Sequence, residues 1–210
     1  MKILLYLFIA DFFVFTISHA SLIPDDSGKK LMSFYLGLNV ENLWLPGSHI
    51  NWETGWPDSS GYKAHTHCSA FVAAACERLG IYILRPPQHS QVLLANAQEE
   101  WLGTADAAEK GWKRIDDSHI YLTAQDFSNR GYVVTAVIRG RGEKKSGHIA
   151  LVMPAEMTPE KLESGGPLVI MAGERNYNSI SLKRGFRYHI DAWPESLIRF
   201  YVNLNEPKFP

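Results

Sequence analysis

Apolar and polar positions along the chain change their period once, near the middle. In the first half the spacing is helical: Phe71, Ala75 and Leu79 recur at i, i+4 and i+8 within an Ala-rich run, and Gly80 follows as a stop. This predicts a helix over 69–79 that begins at Cys68. A second helix is predicted over 90–101, entered after Pro86 and Pro87 with Ser90 as N-cap, and a third over 123–130, closed by Gly131. Beyond it the pattern becomes that of strands. Residues 132–139 (YVVTAVIR) and 148–153 (HIALVM) are β-branched, aromatic or apolar runs around a glycine-bearing turn at 140–147, the signature of a hairpin. A short helix from Thr158, with Pro159 at its first position, leads to a third strand over 168–172, and 197–204 supplies a fourth. Helices followed by a mainly antiparallel sheet define an α+β fold.

Two segments stand outside this pattern. Residues 1–20 (MKILLYLFIADFFVFTISHA) carry one Lys, a long apolar run and small residues at Ser18 and Ala20, as a cleaved export signal does. Asp11 interrupts the run, and a charge near the centre of a spanning helix costs about 2.5–3.5 kcal/mol, which argues against a permanent anchor. The expectation is export to the periplasm or medium, with no stable membrane insertion once the signal is removed. Residues 43–63 are dense in Trp, Pro, Gly and Ser and read as a loop-rich stretch able to line a groove. With no repeat or long linker, residues 21–210 are expected to form one domain.

Composition adds exclusions. With 46% hydrophobic and 20% charged residues the chain is neither disordered nor a coiled coil. Lys and Arg total 21 against 22 Asp and Glu, so no broad positive field exists to hold nucleic acid.

Two cysteines in an exported chain invite a disulfide, but Cys68 and Cys76 fall on one predicted helix, eight residues or roughly 12 Å apart, whereas a bridge needs Cα atoms within about 7 Å. Both thiols are therefore expected free. Cys76 lies among alanines as a small apolar residue; Cys68 sits at the helix start, where unpaired N–H groups and the dipole favour a thiolate and can hold an oxyanion.

A nucleophile needs a base. Of eight histidines, His148 alone opens a strongly apolar strand directly after a glycine turn, which anchors its ring at the end of a sheet. Alternation places His148, Ala150 and Val152 on one face, and the small residues there leave room for the Cys68 helix. An antiparallel strand over 168–172 would return the chain to the level of His148 at Gly173–Asn176. Asn176 is then the first choice to orient the imidazole and Glu174 the second, an order that a bulge at Gly173 would reverse.

Cys68 within HTHCSAFVAAACERLGI, His148 within SGHIALVMP and the polar end of LVIMAGERN resemble the NlpC and CHAP cysteine amidases, a papain-like superfamily acting on bacterial cell-wall peptides. The likeness spans about Tyr62 to Asn178. Departures are the His-Thr-His before Cys68 and an insertion near 154–167. The resemblance implies hydrolysis of amide bonds in peptidoglycan stem peptides through a thioester, with Cys68 as nucleophile, His148 as base and no metal or organic cofactor. Tyr62, His67 and Trp56 are candidate substrate contacts, and Trp52 a second candidate wall. His65, His67 and Cys68 at H-x-H-C resemble part of a zinc site whose fourth ligand is missing. The alternatives are a papain-like acyltransferase or delivered toxin-like hydrolase using the same residues, and a non-catalytic wall-binding module in which Cys68 is only packing. Phe71, Leu79, Val133, Val137, Ile149, Leu151 and Ile170 are assigned to the core.

Overall fold

The computed structural model describes residues 21–59, 66–142, 145–192 and 197–210. The expected signal segment, Tyr62 and His65 lie outside these residues. The architecture is α+β: a six-stranded, wholly antiparallel sheet in the order β1-β6-β2-β3-β4-β5, with helices on both faces. The strands are β1 (Trp112–Ile115), β2 (Val134–Ile138), β3 (His148–Val152), β4 (Leu168–Met171), β5 (Tyr177–Ser181) and β6 (Arg199–Asn203).

Every residue of β2 and β3 is buried, because central strands covered on both faces need apolar side chains at both parities. This is why they were legible as continuous apolar runs, and they form the expected hairpin, with Ile138 opposite His148. The β3–β4 pairing is also antiparallel as expected, registered at Leu151↔Ile170 and Val152↔Val169. β1 and β5 escape the pattern: β1 exposes its two middle residues, and β5 (YNSIS) is a polar edge strand.

α1 (Asp26–Gly37), α2 (Cys68–Arg78) and α3 (Leu94–Leu102) share one core with the Ile149, Leu151 and Met153 face of the sheet. α2 is nearly all buried along Cys68–Cys76, and Ala73, Ala74 and Ala75 let it lie close on that face. The opposite face, with Ala136, Ala150, Val152 and Phe200, is covered by α5 (Ile120–Asn129). The expectation that α2 packs on the His148 face is thus corrected: parity divides β3 as expected, but α2 takes the Ile149 side, where larger side chains fill the space around its alanines. All seven residues assigned to the core are fully buried.

The short α4 (Ala105–Glu109) follows α3. α6 (Pro159–Gly165) starts as predicted, with the Thr158 side chain accepting from the Lys161 N–H and Pro159 at its head. Ser90 does not cap α3; the cap is Leu93, in a left-handed conformation (φ 53°) with no side-chain hydrogen bond. After β5 the chain turns through α7 (Leu182–Gly185) and a 3-10 segment, Arg187–Ala192, elements that the sequence pattern did not predict.

Candidate active site

At the start of α2 the cap residue, His67, makes no side-chain capping bond; its ring Nε2 instead meets the Ser48 carbonyl at 2.8 Å. The first N–H groups of α2 are therefore left without a side-chain cap, and those of Ser69 and of Cys68 itself favour the Cys68 thiolate. A third donor comes from β3. Pairing of β3 with β4 ends at Leu151↔Ile170, and the next inward N–H, that of Ile149, points at the thiol. The imidazole leaves β3 on the other parity, among Phe186 and His189, so the expected meeting of thiol and imidazole is not seen among the described contacts: the sulfur lies on the Ile149 side of the strand.

The thiol does not rest as the thiolate. Burial pushes the Cys68 thiol up despite the three donors, and Cys68 is 2% exposed. The expectation that the helix start lowers its pKa is thereby corrected: desolvation outweighs the dipole. Cys76 is pushed up to about 12 by burial, with Arg85 opposing; both cysteines are free. Burial, with His189 alongside, lowers His148 to about 3, so the imidazole is neutral. Its Nε2 is buried without a hydrogen-bond partner among the described residues.

The ring is held by shape. Phe186 meets it edge-on at 4.7 Å between centroids, and His189 stacks on it at 5.8 Å and 15°. Asn96 of α3 holds the loop in front of it. The Asn96 Oδ1 accepts from Gly140 N (2.9 Å) and Gly147 N (2.8 Å), and its Nδ2 donates to the Lys145 carbonyl (2.9 Å). Both glycines are required by close approach: a Cβ at Gly140 would sit 2.0 Å from the Lys145 carbonyl oxygen, and one at Gly147 2.2 Å from that of Ile138. The turn that ends at His148 is therefore clamped by one buried amide.

Gly173 returns beside the ring as the topology predicts; a Cβ there would lie 3.5 Å from His148 Cε1. The polar residues after it divide. Asn176 turns away: its Oδ1 accepts from Gly173 N (3.0 Å), and its Nδ2 is shared among the carbonyls of Val40 (2.7 Å), Leu43 (2.8 Å) and Trp44 (3.2 Å). It latches the 40–44 loop to the sheet and is not brought to the imidazole. Glu174 is exposed and, with Thr66, Gly147, His148 and Gly173, lines a cavity of about 270 Å³. Of the two candidates only Glu174 lines the His148 cavity, and the register shift lies between Val169 and Met171 rather than at Gly173. Cys68 does not line this cavity.

Of the candidate substrate contacts, His67 is 3% exposed and borders a neighbouring cavity together with Trp52, whereas Trp56 is 64% exposed and borders neither. Among the described residues no three His, Cys, Asp or Glu side chains gather as a metal site would require. His189 and Phe186 were missed because 184–190 has no strand or helix period; the histidine in a run of arginines and aromatics was the available signal. No protein-family model matches the chain, and no curated protein matches it.

Proposed function

We propose that the protein is a cysteine-dependent amidase or endopeptidase of the NlpC/CHAP, papain-like kind, which hydrolyses amide bonds in peptidoglycan stem peptides after export. What supports this reading is a cysteine at an uncapped helix start packed beside β3, the strand that opens on a histidine with a buried, unpartnered ring nitrogen. In the proposed reaction Cys68 attacks the substrate carbonyl and its proton passes to His148. The Cys68 N–H holds the oxyanion, and His148 returns the proton to the departing amine. Water then attacks the thioester, giving one proton to His148 and releasing the acid as the thiol is restored. Glu174, at the rim of the same cavity, takes the orienting role first assigned to Asn176.

The burial of Cys68 favours one competing reading, a non-catalytic wall-binding module in which the thiol is packing. Digestion of purified peptidoglycan separates the two. Peptide fragments released by the wild type and absent with a folded Cys68→Ala variant support the amidase, and their masses identify the bond and distinguish hydrolysis from acyl transfer. Equal release by both proteins, or none by either, rejects it.

A further inference from the structure

Three cavities lie in a row past His148. The His148 cavity shares Thr66 with one of about 310 Å³ walled by Trp52, Ala70, Pro86 and Val92. On its other side it shares Ser146, Tyr188 and His189 with one of about 420 Å³. The two ends differ in chemistry. The first sets the apolar walls of Trp52, Ala70, Pro86 and Val92 beside uncharged polar groups and two histidines, His49 and His67, and carries no Lys, Arg, Asp or Glu among its described lining residues. Among the described residues the second is walled by Arg139, Arg141, Lys145 and Arg199 and by the carboxylate of Glu99, which is 4% exposed and ion-paired with Arg199. Arg139 is also held by Glu100, at 3.1 Å. The middle cavity adds Arg175, Arg184 and Arg187 against Glu174.

Among the described lining residues of the middle and basic cavities, cations outnumber carboxylates, in a chain whose net charge is -1. Positive charge is therefore concentrated in this groove. Concave walls focus such a field, and guanidinium forks match carboxylates in geometry. The loop carrying Arg139, Arg141 and Lys145 is the one that Asn96 clamps, so part of the cationic wall is set before any ligand arrives.

We infer that this groove is an anion-selective substrate channel: it takes a peptide whose carboxylates lie over the basic cavity and whose apolar portion extends past His148 and Thr66. The assignment rests on the proposed amidase reading and narrows its substrate to acidic chains.

The test uses binding, which does not depend on turnover. The Cys68→Ala protein is sedimented with purified sacculi that are untreated, amidated at their carboxylates, or stripped of phosphate polymers by hydrofluoric acid. The expected result is retention on untreated and stripped sacculi, and weaker retention on amidated ones. Adding Arg141→Glu and Lys145→Glu, both at exposed positions, weakens binding about tenfold at low salt and removes the response to amidation. Circular dichroism verifies that this variant is folded. Retention indifferent to amidation and charge reversal, absent on all three preparations, or lost only on stripped sacculi, overturns the proposal; the last would assign the anion to phosphate. Wild-type digestion run in parallel keeps the two ideas separable, since charge-dependent retention with Cys68-independent release would reject the amidase and leave the groove.

Discussion

Acidification should destabilise this protein most through one imidazole, with buried His67 and half-buried His189 acting in the same direction. His148 is held neutral by burial, its pKa lowered from 6.5 to about 3 with His189 alongside, a difference worth on the order of 5 kcal/mol. The sign follows from which state binds the proton first. Above pH 6.5 the ring is neutral in both folded and unfolded chains and its contribution to stability is complete. As the pH falls below 6.5 the unfolded chain gains a proton that the folded one refuses, and stability is lost until the pH reaches about 3, where the folded ring also charges. At pH 4.5 about 3 kcal/mol of the total should be gone. Urea unfolding followed by tryptophan fluorescence at pH 7.5 and 4.5 measures the loss, and His148→Gln, neutral throughout, isolates it from the carboxylates. The variant should lose about 3 kcal/mol less than the wild type over that interval. Equal losses in the two proteins would refute a desolvated imidazole, and with it the buried site geometry.

Other expectations follow from the same contacts. Asn96→Ala removes three hydrogen bonds at the loop before His148 and should cost about 3 kcal/mol in urea unfolding. It should also broaden the His148 ring signals in NMR; a cost under about 1 kcal/mol with unchanged signals would count against the clamp. Asn176→Ala should lower stability by about 2–4 kcal/mol while leaving the folded fraction as active per molecule as the wild type. Glu174→Gln should do the reverse, sparing stability and lowering kcat/KM about tenfold or more; the opposite pattern would return the orienting role to Asn176. Iodoacetamide should modify both cysteines slowly at pH 7, faster as the pH rises, and Cys68 ahead of Cys76, because only Cys68 has backbone donors on its sulfur. Fast labelling of Cys68 at neutral pH would contradict its burial.

What was legible in the sequence is what depends on local pattern. Continuous apolar runs marked β2 and β3, Thr158 and Pro159 marked the head of α6, and an apolar strand opening on His148 after Gly147 marked the ring's place at the sheet's end. What depends on choosing between equivalent partners was not. Alternation separates His148 from Ile149 but does not say which face a helix covers, and α2 chose the Ile149 face. A polar residue past a strand end serves equally as an imidazole partner or as a loop latch, and Asn176 became the latch through carbonyls more than a hundred residues away in sequence. Helix-start chemistry favoured an acidic thiol at Cys68, while burial, set by the whole fold, reversed the balance. His189 lies in a 3-10 segment with non-helical φ/ψ at that residue (φ -110°, ψ 43°), and no periodicity announces such a segment.

The nucleophile assignment is tested most directly by trapping its intermediate. The protein is mixed with purified peptidoglycan, quenched in acid during turnover and digested, and the cysteine peptides are weighed. The expected result is an acyl increment on the peptide containing Cys68, none on that containing Cys76, and no increment after hydroxylamine cleaves the thioester. Release of fragments during turnover with both thiols unmodified, and undiminished release by Cys68→Ala, would contradict it.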